Sequence, residues 1–256
     1  MSEFDNGVSA ITGNPGLGRL CRGIEKESLR ITPNGTLSPL PHPERLGSAL
    51  RHPFITTDFS EAQLELITGI SQSADDCIDE LTNIHRVIYK EIGEELLWGA
   101  SMPCILDNDT RIPIGYYGSS NIGRTKTVYR NGLGNRYGKL MQTISGIHYN
   151  FSLPETLWPA IAVAKEQHLD QGFQDQSYFH LIRNFRRYSW LLIYLFGASP
   201  AVCTSFIRNR EHDLKALDEH SLYLPEATSL RMGPLGYQSG AQSDLHVSYN
   251  SLEHYM

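Results

Sequence analysis

No stretch of this chain is apolar for long enough to cross a bilayer. The nearest, Trp190 to Ala198, falls far short of the roughly 20 residues a spanning helix needs. The first twenty residues have no basic start and no apolar block but hold Asp5, Asn6 and several glycines, so no secretory leader is predicted. A cytoplasmic location is expected, without a membrane partner. Basic tracts are scarce too: none exceeds Arg186–Arg187, and the formal net charge is −6. Gripping a phosphate backbone takes a concentrated positive face, so nucleic acid is not expected as a partner. The four cysteines, Cys21, Cys77, Cys104 and Cys203, are scattered, form no C-x-x-C and have no close histidine. That spacing excludes a zinc ribbon, and the reducing compartment argues against a disulfide framework, which leaves free, mostly buried thiols. Several motifs are missing as well. The segment Gly134 to Leu140 is one residue short of a P-loop and lacks its Ser/Thr, and Gly132, Gly134 and Gly138 miss the dinucleotide fingerprint. There is no G-x-S-x-G and no H-E-x-x-H, and no internal repeat or low-complexity segment.

What is present reads as a globular protein, 40% hydrophobic and 20% charged, long enough to bury a sizeable core. Residues 1–21, broken by Gly13, Pro15, Gly16 and Gly18, are expected to be a weakly structured lead-in. From Ser73 to Leu97 the apolar positions Cys77, Ile78, Leu81, Ile84, Ile88 and Ile92 follow a 3.6-residue period, which predicts a helix capped by Ser73. A second helix is predicted from about Tyr178 to Phe196, ended by Gly197 to Pro200. Strands are expected at Arg22–Ile31, Gln63–Thr68 and Ser145–Leu153. The stretches Thr32–Pro53 and Met102–Asn121 read as long irregular loops, which in a compact domain tend to be functional. Helices and strands do not alternate regularly, so the expected class is α+β around a mainly antiparallel sheet. At the other end, Asn250 to Met256 looks like a capped helix start that stops after barely a turn, the pattern expected of a truncated chain.

Three polar-faced strands carry the chemistry. In the first, Glu25 and Glu27 share a face at about 6.5 Å along the backbone, where like charges repel unless a cation lies between them. That suits a divalent metal with hard oxygen ligands, although a solvated face balanced by Lys26 and Arg30 is the commoner arrangement. In the second, Glu61, Gln63 and Glu65 alternate with Ala62, Leu64 and Leu66 just after Asp58. In the third, Gly146, His148, Asn150 and Ser152 share a face. A lone strand histidine usually only makes hydrogen bonds, but one flanked by Gly and Asn leaves room for a ligand. A basic group, Arg124, Lys126, Arg130, Arg136 and Lys139, fits either an anion site or a solvated helix face.

These segments resemble glutamate–cysteine ligases of the gamma-proteobacterial type. The resemblance rests on R-G-I-E-K-E-S-L-R at 22–30, L-G-S-A-L at 46–50, I-T-T-D-F-S-E-A-Q-L-E-L-I-T at 55–68 and S-M-P-C at 101–104. It continues with Y-G-S-S-N-I-G-R-T-K-T-V-Y-R at 117–130, N-R-Y-G-K-L-M-Q-T-I-S-G-I-H-Y-N-F-S-L-P at 135–154, Y-L-F-G-A-S-P-A at 194–201 and A-T-S-L-R-M-G-P-L-G-Y at 227–237. It implies a glutamine-synthetase-like fold, a curved antiparallel sheet backed by helices, with residues 22–256 forming the N-terminal part of one ligase catalytic domain. The implied reaction is ATP-dependent: the glutamate side-chain carboxylate is phosphorylated, and the cysteine amine attacks the acyl phosphate, as the first step of glutathione synthesis. The implied substrates are glutamate, cysteine and ATP, with Mg²⁺ (Mn²⁺ in its place) as metal. Carried over position by position, Glu25, Glu27, Asp58, Glu65 and His148 look like metal ligands. Gln142, Asn150 and Arg231 look like contacts to glutamate, and Tyr129 and Tyr237 look like lining of the cysteine pocket. Family members are about twice as long, and their remainder supplies another acidic ligand and the basic residues that meet ATP. A non-catalytic remnant and a ligase for another amine are the alternatives. The resemblance leaves the oligomeric state open.

Overall fold

The structure is a computed structural model, and it describes residues 9, 11–103, 105–106, 111–207, 211–233 and 248–255. Its axis is β1 (Cys21–Ile31). On one side, the short β2 (Ile55–Thr57) pairs with β3 (Gln63–Ile67), which pairs with the middle of β1. On the other side, β1 pairs at its C-terminal end with β4 (Leu96–Leu97) and along its first half with β5 (Ile147–Ser152). Every pairing is antiparallel. A second, three-stranded sheet joins β6 (Ala201–Cys203), β7 (Lys215–Ala216) and β8 (Ser221–Tyr223) in the order β6-β8-β7. The helices are α1 (Ala74–Glu91), α2 (Asn121–Tyr137), α3 (Trp158–Ala164), α4 (Gln171–Phe196) and, among the described residues near the end of the chain, the four-residue α5 (Leu252–Tyr255). This is the expected α+β class, with an antiparallel sheet and flanking helices.

Strand alternation divides the sheet into two unlike faces. On one, Leu64 and Leu66 of β3 and Ile55 of β2 pack on Ile84 and Ile88 of α1, with Leu46 and Ile92 closing the cluster. Complete burial of side chains of this kind contributes about 1.5–3 kcal/mol each. The helix is fixed at its start by the Ser73 hydroxyl, which accepts from the Asp76 N–H at 3.2 Å. Asp75 and Asp76 lie in that first turn, where they meet the positive end of the helix dipole. Its end differs from the expected Leu97. Gly93 takes a left-handed φ of 62°, the chain turns, and Leu96–Leu97 joins β1 as β4 instead. Helix α4 also starts earlier than expected, because Asp170 caps it by accepting from the Phe173 N–H at 2.8 Å.

Lys26 and Arg30 lie on the same face as α1, so they cannot neutralise Glu25 and Glu27 on the other. Arg30 is completely buried. It pairs with Glu95 at 2.6 Å and donates to the carbonyls of Leu40, Pro41 and Glu61. Burial also pulls the Lys26 pKa down, and its ammonium donates to Ser28 Oγ.

The opposite face changes character along its length. Toward the end of β1, Leu29 and Ile31 join Met141, Phe206, Ile207 and Leu230 in a second core. Earlier on the same face stand Glu25 and Glu27. A third cluster joins Leu157, Trp158, Ile161 and Phe173. Against it lies the turn Pro15–Arg19, where a side chain on Gly16 would meet Thr156 Oγ1 at 2.9 Å. Both faces of β5 are exposed, and Phe185, Tyr188, Trp190 and Phe196 of α4 are exposed as well, so this flank presents uncovered apolar surface. Among the described residues, Cys21, Cys77 and Cys203 are free thiols, and no helix is long and apolar enough to cross a membrane.

Candidate functional site

The register of the sheet brings the acidic residues together. Glu27 of β1 stands directly opposite Glu65 of β3, and Glu25 stands opposite His148 of β5. Two carboxylates at paired positions repel, and that cost is tolerable only where something offsets it. Glu25 is held from the far side: Asn150 donates to its Oε1 at 2.8 Å, and His148 Nδ1 lies 3.3 Å from its Oε2. Glu27 is braced differently. Its Oε2 accepts from the Gly146 N–H at 2.9 Å and from the Gln63 amide at 3.3 Å. Gly146 lets the strand pass close to the ring: a side chain on it would meet His148 Nε2 at 3.2 Å and press the imidazole aside.

Asp58 enters from the turn after β2. Together with Glu27, His148, Gln142, Tyr129 and Arg130 it lines a cavity of about 470 Å³, whose remaining wall is largely apolar, with Leu133, Met141 and Phe206. Gln142 sits buried in the turn Leu140–Thr143, while Tyr129 projects exposed from α2. Glu25 and Asn150 instead border a smaller neighbouring hollow.

Electrostatics tie the group together. Burial, then repulsion from Asp58, raises Glu27 to about 7, against the opposing pull of the Gly146 N–H and His148. Burial also raises Asp58, with Arg130 the largest opposing influence. Glu65 is raised by burial first and then by Asp58 and Glu25. Three neighbouring carboxylates thus all hold protons more tightly than they would in water.

Hard carboxylate oxygens with one imidazole, drawn from three separate chain segments, are the donor chemistry of Mg²⁺ or Mn²⁺ rather than of a thiolate metal. Among the described residues no three His, Cys, Asp or Glu side chains are already gathered around one point as ligands. Joint coordination therefore calls for side-chain rotation, which the half-open setting of Glu25 and His148 permits.

Not every residue follows the pattern read from the sequence. Glu61 is not on the acidic face: the chain turns before β3, and the buried Glu61 carboxylate accepts instead from the N–H groups of His42 (2.7 Å) and Tyr116. The basic group also separates. Arg130 lines the cavity, while Arg136 stacks on Tyr137 at 5.7 Å. Arg231 lies in the turn Leu230–Met232, and its side chain, like the whole of Tyr237, falls outside the described residues. Sequence reasoning missed the buried Gln63 as the brace for Glu27 and missed Tyr117 altogether. Both lie inside the segments that carry the family resemblance, which was the available signal.

Comparison with known proteins bears on the family and the fold. The family model described as glutamate-cysteine ligase matches residues 8–256. The chain is 58% identical over 236 residues to the glutamate–cysteine ligase of Alcanivorax borkumensis, covering 92% of this chain and 45% of that one. It is 54% identical over 258 residues to that of Saccharophagus degradans, covering 100% and 49%. The crystal structure of glutamate–cysteine ligase from Francisella tularensis in complex with AMP superposes with a TM-score of 0.84 at 43% identity, covering 93% of this chain and 46% of that one. A bifunctional glutathione synthetase from Pasteurella multocida gives 0.77 at 31% identity, covering 100% and 31%. The chain spans about half the length of the curated relatives it matches.

Proposed function

Because the chain belongs to the glutamate–cysteine ligase family, we propose that it forms the metal-binding and glutamate-binding part of an ATP-dependent ligase of the first step of glutathione synthesis. In this reading residues 22–256 are the N-terminal part of one catalytic domain acting in the cytoplasm. The observation that carries it is the convergence of Glu27, Asp58 and His148 from three chain segments onto one cavity shared with Gln142 and Tyr129.

Glu25, Glu27, Asp58, Glu65 and His148 would hold Mg²⁺, or Mn²⁺ in its place. Bound there, the ion would offset the negative charge of phosphate and carboxylate oxygens. The chain's own residues supply positioning. Gln142, buried in the turn Leu140–Thr143, would contact glutamate from the cavity wall, and Asn150, whose amide donates to Glu25, would do so from the neighbouring hollow. Arg231 suits the α-carboxylate by bidentate pairing. Tyr129 would border the space for the incoming cysteine, a role that the family resemblance also gives to Tyr237, outside the described residues. The γ-carboxylate oxygen of glutamate then attacks the terminal phosphorus of ATP and ADP departs. The cysteine amine next attacks the acyl carbon, expelling phosphate.

The test is ADP release that requires glutamate and cysteine together, measured on this chain extended by the remaining length of the Alcanivorax borkumensis relative. No ADP release from that protein would overturn the reading. A pH effect accompanies it. Glu27 is protonated below about 7, and a proton on it competes with metal. Its ionised fraction falls about tenfold between pH 8 and pH 6 for a group titrating near 7. Mn²⁺ affinity of this chain is therefore expected to weaken by about the same factor over that interval, as read by Mn²⁺ electron paramagnetic resonance titration. A flat affinity over that range counts against Glu27 as a ligand.

A further inference from the structure

The Asp58 N–H donates to the Gln63 carbonyl at 3.0 Å within the hairpin, while the groups that hold the Asp58 carbonyl come from a distant part of the sequence. The hydroxyl of Tyr117 lies 2.7 Å from the Thr57 carbonyl and 2.9 Å from the Asp58 carbonyl, sharing its one proton between them. It also accepts from Thr57 Oγ1 at 3.0 Å, which fixes the direction of that proton. Arg130 donates to the same Asp58 carbonyl through Nε and to the Lys126 carbonyl through Nη1. The Arg130 guanidinium also lies 4.6 Å over the Tyr117 ring. Tyr117 is buried, so water does not compete for these bonds. The loop that carries it runs along the Asp58 turn, with Gly115 N–H donating to the Phe59 carbonyl at 2.9 Å and Glu61 N–H to the Pro113 carbonyl at 3.1 Å. Gly115 leaves the space: a side chain there would meet Tyr117 Oη at 3.0 Å and Thr57 Oγ1 at 3.3 Å.

We propose that Tyr117 is a positioning residue that, with Arg130 stacked on it, fixes the Thr57–Asp58 backbone so that the Asp58 carboxylate faces Glu27 across the cavity. This rests on the metal-site reading given above. The hairpin bond fixes the N–H side of Asp58 and this anchor fixes its carbonyl side, whereas Glu27 and Glu65 are set by the β1–β3 ladder. The clamp thus gives the cluster its one ligand from outside the sheet.

The test is Mn²⁺ titration by electron paramagnetic resonance on the wild-type chain, Tyr117→Phe, Asp58→Asn and the double variant, with thermal unfolding of each. Tyr117→Phe keeps the ring and its stacking but loses the hydroxyl. It is expected to weaken Mn²⁺ about 10- to 100-fold, the usual range for outer groups that orient a ligand. In the Asp58→Asn background the same change is expected to weaken Mn²⁺ no further. Wild-type affinity in Tyr117→Phe, or an equal further loss in the Asp58→Asn background, overturns the proposal and leaves the metal site standing. A wild-type chain that binds no Mn²⁺ overturns the metal reading itself, and this proposal with it. Should Tyr117→Phe fail to fold, Arg130→Lys keeps the charge and loses the Nε donor, and the same outcomes apply to it.

Discussion

Replacing Glu27 with Gln is expected to weaken Mn²⁺ binding by at least about a hundredfold while leaving the folded chain at pH 8 no less stable than the parent. The first part follows from ligand chemistry: an amide oxygen carries no charge, and removing a ligand costs more than disturbing a group that only orients one. The second follows from the raised titration of Glu27, to about 7 from an ordinary 4.5. The folded state binds this proton more tightly than the unfolded state does. The group's contribution to stability is therefore fully present below about 4.5 and is lost as pH rises through about 7. At pH 8 the ionised Glu27 opposes folding of the metal-free chain, because it is partly buried and faces Asp58 and Glu65. Gln has the same shape, still accepts from the Gly146 N–H, and removes that opposition. Urea unfolding at pH 5 and pH 8 reads the stability, and Mn²⁺ titration reads the site. Retained metal affinity, or a variant that unfolds at pH 8, sinks the assignment of Glu27 as a ligand. In the extended protein that tests the proposed ligase reading, ADP release is expected to fall in parallel.

The alternation of Glu25 with Glu27, of Gln63 with Glu65 and of Gly146 with His148 and Asn150 was enough to assign these residues to one face. Strand geometry has a period of two and little freedom. The antiparallel register then put Glu27 against Glu65 and Glu25 against His148, which no local pattern could state. Glu61 was misread because alternation was extended backward past the start of β3, into a turn whose direction is set by hydrogen bonds to residues 42 and 116. Arg30 looked like a surface counter-charge, since nothing in its neighbourhood announces that Glu95 and three carbonyls from two loops close over it. Helix α2 holds Gly123, Gly132 and Gly134, poor helix formers, so its period is weak even though Ser120 caps it. Local pattern therefore reveals the strands and the candidate ligands. The long-range braces, Tyr117 above all, depend on contacts nearly sixty residues apart.

Arg30→Ala is expected to destabilise the chain by about 3–5 kcal/mol, the usual result of removing one partner of a buried ion pair. That is a large share of the roughly 5–15 kcal/mol that holds a domain together. The arithmetic can be divided. Arg30 has no exposed surface, and the Glu95 carboxylate it meets at 2.6 Å is nearly buried, so truncation leaves a charge with no counter-ion. It also strands the carbonyls of Leu40, Pro41 and Glu61, which share Nη2, and that loss is part of the same total. Pairing Arg30→Met with Glu95→Gln removes the first penalty but not the second. The double variant is accordingly expected to recover only part of the lost stability in urea unfolding. Full recovery means that the charge alone mattered, and no recovery means that the carbonyls did. The loss also reaches the site. Arg30 fixes the carbonyl of Glu61, the Glu61 carboxylate fixes the N–H of Tyr116, and the next residue is Tyr117 on the Asp58 turn. Arg30→Ala, assayed at a temperature where it remains folded, is thus expected to weaken Mn²⁺ binding as well. Unchanged affinity in that variant breaks the link between the buried guanidinium and Asp58, while the stability argument stands by itself.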